Sequence, residues 1–237
     1  MNKNTFNGIL LSATGSIWWG VIGVLYFKSV SFAGPVELVI HRTVWTAFLL
    51  FFTTSLYSKW NDIFLILKDI KKTLILFFCG ILIVTNWATW IYAVVTNRLI
   101  DASFGYYIFP ILSVLFGILF FKEPHNKKKL IAISLVIISV IYLLINFESI
   151  PWVGLIVAVT WSTYNLIRKK IRVSTDLGLF IESAFMTPFA IIAFYIITKE
   201  GNNFFSPDDL RISFWLFLAG PMTVIPLFLY VKGVELS

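Results

Sequence analysis

Eight long apolar runs follow one another with almost no polar sequence between them, and this succession constrains the chain more than any motif in it. The runs fall at about 8–29, 36–57, 73–95, 99–121, 128–146, 150–168, 177–198 and 212–233, each close to the roughly 20 residues that a helix needs to cross a bilayer. Backbone in lipid must satisfy its own hydrogen bonds, which leaves helices or a closed barrel. Runs this continuous lack the alternation of barrel strands. The fold class expected is an all-α membrane protein, a polytopic bundle of about eight transmembrane helices. Composition agrees: 59% of residues are hydrophobic and 13% charged, where a soluble domain carries about 25% charged residues. The mean hydropathy is +0.88.

The charges sit in the short gaps and alternate in number. Lys3, then Lys59, Lys68, Lys71 and Lys72, then Lys122, Lys127, Lys128 and Lys129, then Arg168, Lys169, Lys170 and Arg172 make thirteen cations on one side. Lys28, Arg98, Lys199 and Arg211 make four on the other. Cationic loops stay in the cytoplasm, so the N-terminus is expected there, and an even number of spans returns Ser237 to the same side. The net charge of +7 is thus an orientation signal. Nucleic acid is not an expected partner, because no soluble module is present to carry a basic face.

Cys79 is the only cysteine and lies in an apolar run, so the sequence holds no internal disulfide and says nothing of redox compartment. Two distant histidines make no zinc cluster, and neither metal nor cofactor is expected. The first run follows Lys3 without an A-x-A cleavage pattern, which fits a retained span.

Three runs carry polar residues at one depth. In the second, Glu37 and His41 share a helix face four residues apart. Arg42 lies roughly 9 Å along the helix from its end. A cation there either faces a cavity or partner or snorkels back to the headgroups. The third run holds Asn86, Trp87 and Trp90, with Asn86, Thr89 and Trp90 on one face. An amide at that depth contacts substrate or ties two helices together. In the fourth, Ser103, Tyr106 and Pro110 share a face, and Pro110 frees the carbonyl of Tyr106. Freed carbonyls at membrane depth line a cavity or are covered by neighbours, while Tyr106 and Tyr107 also suit an interfacial belt. Together the three sets predict a pocket with aromatic walls and a polar floor. A stripe of Ser12, Ser16 and Gly20 predicts close helix packing, as do Ser113 and Gly117. Pro188, Pro221 and Pro226 are candidate helix breaks or gating points. Glu182 and Lys232 suit snorkelling or an inner gate.

No catalytic constellation is present: no serine–histidine–aspartate set at one depth, no H-E-x-x-H and no phosphate loop. The chain is not expected to be an enzyme. The alternative is a membrane-embedded enzyme using Glu37 and His41 on a lipid or small molecule, or a membrane partner protein without transport activity.

Ile40-His41-Arg42, Asn86-Trp87, Ala102-Ser103-Phe104-Gly105-Tyr106-Tyr107-Ile108-Phe109-Pro110 and Arg168-Lys169-Lys170-Ile171 resemble the RarD family, part of the EamA group of the drug/metabolite transporter superfamily. Phe121-Lys122-Glu123 resembles the wider EamA pattern. The likeness spans essentially the whole chain. It implies a multi-pass permease of the cytoplasmic (inner) membrane that moves or exports a small metabolite or drug. Family members are named for chloramphenicol sensitivity. The resemblance also implies ten spans in two inverted five-span repeats, an architecture common in transporters. Trp19 with Lys28 and Trp161 with Lys170, each nine apart, fit such a repeat. Residues 1–149 would form the first copy and 150–237 three spans of the second. Tyr230 to Ser237 then corresponds to the turn at Tyr92 to Asp101, and the sequence is expected to lack the last two spans. The substrate site implied comprises Arg42, His41, Asn86, Trp87, Trp90, Ser103, Tyr106, Tyr107 and Pro110. A small-molecule substrate and the lipid bilayer are the expected partners, and a homo-oligomer is left open.

Overall fold

The structure is a computed structural model that describes residues 3–122, 127–145 and 151–236. Glu123, the side chains of Lys3 and Lys127 to Lys129, and the repeat boundary expected at 149/150 lie outside the described residues. Among those described, all regular structure is helical. The order is α1 (Lys3–Ile17), a π-helical turn (Trp18–Gly23), α2 (Val24–Ser29), a 3-10 turn (Ser31–Ala33), α3 (Gly34–Leu56), α4 (Trp60–Lys68), α5 (Ile70–Val95), α6 (Leu99–Phe121), α7 (Lys127–Ile145), α8 (Trp152–Ile171), α9 (Thr175–Lys199), α10 (Leu210–Phe217) and α11 (Pro221–Leu236). Every expected span is thus helical, most with ends within three residues of those read from the sequence.

Six segments of the described chain are long and apolar enough to cross a membrane: 5–29, 31–56, 70–95, 99–121, 175–199 and 210–233. The described apolar part of α7, Ile131–Ile145, is shorter. In α8 the polar stretch Ser162-Thr163-Tyr164-Asn165 and the cations of its last turn lower the apolar content. Left-handed residues close four turns, Ser58 after α3, Asn97 after α5, Lys122 after α6 and Arg172 after α8. Such a residue stops a helix by satisfying its last carbonyls. At the α5–α6 turn Arg98 donates to Asp101 at 2.6 Å and lies over the Trp152 ring at 5.2 Å. The hydrogen bond to Asp101 holds the Arg98 guanidinium above its ordinary pKa.

The chain divides into two compact units, residues 1–84 with 173–237, and residues 85–172. In the first, α1 packs on α11 and α3 on α9. Both pairs are antiparallel. His41 meets Phe194 and Phe51 meets Phe180, while Lys59 pairs with Asp176 at 2.6 Å, so the numbering falls on one helix as it rises on the other. In the second unit α6 packs on α8 in parallel, Gly105 meeting Gly154 and Phe109 meeting Trp161. A chain that crosses once per expected span requires these directions, since spans one and eight, and two and seven, point oppositely while four and six point alike. The packing therefore supports the crossing of α8 independently of its hydropathy.

Backbone contact is closest between α6 and α8. A Cβ on Gly105 would fall on the carbonyl of Gly154, and one on Gly154 on the carbonyl of Asp101. Contact this tight is a recurrent membrane packing mode, since dispersion acts where the hydrophobic effect between helices does not. The same logic governs α1 and α11, with a shifted stripe. Ser12 meets Gly233, and the packing face is Gly8, Ser12 and Gly15. Ser16 and Gly20 are exposed, so the stripe expected at Ser12, Ser16 and Gly20 holds for Ser12 alone. The π-turn ends the regular period before Gly20.

Two features depart from the expected spans. The last run breaks at Leu218 to Gly220; the backbone there passes so close to α3 that a Cβ on Gly220 would lie 2.7 Å from Cβ of Trp45, and Pro221 restarts the helix from its favoured first position. Pro188 and Pro226 lie inside continuous helices. The gap at 58–72 folds as α4. Trp60 packs on Phe51 and Phe180, and Phe64, Leu65 and Leu67 are exposed beside Lys68. That amphipathic pattern suits a helix lying in the membrane surface.

Candidate functional site on α3 and α6

Glu37, His41 and Trp45 recur every four residues and line one face of α3. Glu37 is 1% exposed. Its Oε1 accepts the backbone N–H of Phe204 at 3.0 Å and that of Phe205 at 2.9 Å, and its Oε2 accepts Phe204 at 2.9 Å. The segment between α9 and α10 is thereby tied to α3. Next along the face, Trp45 Nε1–H donates to His41 Nδ1 at 3.1 Å. An indole nitrogen only donates, so Nδ1 is the acceptor and the neutral imidazole carries its proton on Nε2. That nitrogen lies 3.5 Å from Glu37 Oε1. Phe205 packs on the imidazole with 4.8 Å between centroids.

Arg42 lies beside this chain, 8% exposed, its guanidinium 5.3 Å from the centre of the Phe27 ring. Burial to this degree excludes snorkelling. Thr43 and Thr46 extend the polar face, and Glu182 on α9 is wholly buried. Glu182 therefore does not snorkel either. The α3–α9 register places it near the level of Phe51, well along the pair from Glu37.

The second unit holds the other expected residues. Asn86 is buried on α5, and its Nδ2 donates to the Val157 carbonyl at 3.2 Å and to Thr160 Oγ1 at 3.1 Å. The Thr160 hydroxyl in turn donates to the Ile156 carbonyl at 2.6 Å. The donor side of the amide is thus used in joining α5 to α8. Trp87 is buried, and Trp90 packs on the cluster of Ala93, Ala102 and Val153. On α6, Ala102, Phe104 and Gly105 are buried, whereas Ser103, Tyr106, Tyr107 and Pro110 are exposed. Tyr106 is 47% and Tyr107 61% exposed. Among the described residues no group of three or more histidine, cysteine, aspartate or glutamate side chains comes together as a metal site.

Residues 6–145 match the model of the EamA-like transporter family, more than half of the chain. The chain belongs to the EamA-like transporter family. This permease is 31% identical over 225 residues to Protein RarD of Salmonella typhi, covering 95% of its own length and 76% of that protein. It is 34% identical over 220 residues to an uncharacterized transporter of Vibrio cholerae, covering 93% of itself and 72% of that chain. An uncharacterized transporter of Bacillus subtilis, YojE, is 32% identical over 241 residues, covering 99% and 78%. No solved structure matches the permease. It is a multi-pass membrane permease of the drug/metabolite transporter superfamily.

Sequence reasoning missed Trp45 and the tie from Glu37 to Phe204 and Phe205. The spacing His41–Trp45 was a signal for the first. An aromatic pair in an otherwise polar gap was a signal for the second.

Proposed function

We propose that the permease moves a small polar or amphipathic metabolite by alternating access across the cytoplasmic membrane, with its N-terminus in the cytoplasm. The observation that carries this reading is Arg42, a cation buried within a membrane helix against an aromatic ring. Charge at that depth marks a substrate or ion path far more often than it marks stability. A guanidinium binds carboxylates through paired donors, so the preferred cargo carries an anionic group. His41 and the aromatic residues around it provide the apolar side. Asn86, Trp87, Trp90, Ser103, Tyr106, Tyr107 and Pro110 line the path in the second unit. The exposed face of α6 supports this, because it carries the side chains of Ser103, Tyr106 and Tyr107. Pro188, Pro221 and Pro226 are the positions at which helices would bend during the cycle. The repeat division at 149/150 belongs to the same proposal, as do a free small molecule in place of nucleic acid and a possible homo-oligomer.

The enzyme reading is weakened by Glu37, since both its oxygens accept backbone amides and hold the loop before α10. Proteoliposomes given labelled amino acids and aromatic carboxylates test the proposal. Saturable uptake of unaltered compound is expected. Arg42→Ala should lower it about tenfold, the size of one charge-assisted contact. Uptake unchanged by that substitution removes Arg42 from the site, and a chemically altered product restores the enzyme reading.

A further inference from the structure

Helix α4 joins the end of α3 to the start of α5, and one of its sides is fastened to the unit. Lys59 Nζ donates to Asp176 Oδ2 at 2.6 Å where α4 begins. Trp60 packs edge-on to Phe51 of α3 and Phe180 of α9, and Ile63 is 3% exposed. The other side carries Asn61, Phe64, Leu65 and Lys68. Spacings of three, four and seven residues from Asn61 put them on one helix face. All four are exposed, and with Leu67 they line an open depression of about 660 Å³. Leu56 and Tyr57 before the helix and Ile70 after it are exposed as well, so apolar surface continues past both ends.

We propose that this face binds anionic phospholipid headgroups, with Phe64 and Leu65 set into the bilayer boundary and Lys68 and Lys71 on the headgroup phosphates. An exposed phenylalanine and leucine on a surface helix are at home where the acyl chains begin. The basic groups beside them select the sign of the headgroup. Four lysines and two aspartates stand between residues 59 and 72. Lys59 is held by Asp176, and Lys72 lies 3.6 Å from Asp69. Lys68 and Lys71 are exposed, and among the described residues neither meets a carboxylate at ion-pair distance. Asp62, the remaining carboxylate, stands in the first turn of α4, where the helix dipole favours it. Six residues set it about 120° round the helix from Lys68. A lysine at a membrane surface enriches anionic lipid about fivefold, so two such lysines give a strong preference.

Cys79 is the only native cysteine, so a Cys79→Ser chain with Asn61→Cys takes one fluorophore on the proposed face. The full chain is reconstituted in phosphatidylcholine vesicles. These hold a small share of either phosphatidylglycerol or phosphatidylcholine that carries a nitroxide near the carbonyl end of one acyl chain, which quenches the fluorophore on contact. Both labelled lipids should quench, with the phosphatidylglycerol favoured by about fivefold per lysine. The preference should shrink in about 1 M salt, where the Debye length falls to about 3 Å. Labelled lipid is present in both leaflets, so the measurement rests on neither the transport function nor the orientation proposed above.

Lys68→Gln and Lys71→Gln should each remove about one such fivefold factor, and the two together should bring the lipids to equal quenching. Lys68→Arg with Lys71→Arg should keep the preference, since a guanidinium meets a phosphate as well as an ammonium does. Both lysines are exposed, so the glutamine variants should fold as the parent does, and unchanged quenching by phosphatidylcholine shows it. Equal quenching of the parent by the two lipids, or a preference that survives the double glutamine substitution, overturns the proposal. So does a preference lost to inorganic phosphate at matched ionic strength, which would make the site one for a soluble phosphate. Quenching by neither lipid would set the face against water or another protein, and overturns it too.

Discussion

On α3 Glu37, His41 and Arg42 are buried within their own unit; on α6 Ser103, Tyr106 and Tyr107 are exposed. Both helices were expected to line one pocket from the same evidence, polar side chains at one depth in an apolar run. Glu37 ties down a loop, His41 accepts from Trp45, and Arg42 rests on Phe27. Ser103, Tyr106 and Pro110 stand on the side of α6 that faces away from α8, where Gly105 makes the packing contact. A polar residue in a membrane helix thus serves architecture when its neighbours answer its hydrogen bonds, as they do for Glu37 and Asn86.

Substitutions on and around these faces sharpen or break that contrast. The largest effect is expected for Gly105→Leu, which forces α6 off the Gly154 carbonyl. Overpacking of this kind costs about 3 kcal/mol or more, and loss of a monodisperse, thermally cooperative protein in detergent would register it. Tyr106→Ala should act in the opposite sense, depressing flux several-fold while shifting thermal stability by less than about 0.5 kcal/mol, as exposed positions do. A large stability loss would show that the α6 face is architectural after all. Asn86→Leu should cost about 0.6 to 1.7 kcal/mol in thermal unfolding, the range for side-chain bonds between membrane helices. Lys59→Ala should have the smallest effect, at most about 1 kcal/mol, because its pairing with Asp176 is partly exposed.

The helices were legible because bilayer thickness and backbone satisfaction leave one solution to runs such as Leu99–Phe121. Their pairing was not. Which face of α6 meets α8 depends on Gly105 and Gly154, two residues about fifty apart, and no local period links them. The polar face of α3 was legible as unusual, yet its meaning was not, because Glu37 is satisfied by backbone groups of Phe204 and Phe205, which any residues there would offer. Backbone donors leave no mark in sequence. The helix α4 escaped notice for another reason: nine residues are too few to read as a span, although its exposed Phe64 and Leu65 next to Lys68 carry the pattern of an interfacial helix.

The π-turn at Trp18–Gly23 has a consequence for how related chains differ. A π-turn is one residue wider than the α-turn it replaces, and one residue corresponds to about 100° of rotation. Val24–Ser29 is therefore set at an azimuth that the period of α1 does not foretell, and this setting lets the Tyr26 hydroxyl donate to the Trp215 carbonyl at 2.6 Å. Deleting one residue from the turn would leave a regular helix of nearly the same length with Tyr26 swung away. At this place a change in length is a change in phase, and a single-residue gap between two relatives would mean that the same helix shows its neighbours a different side.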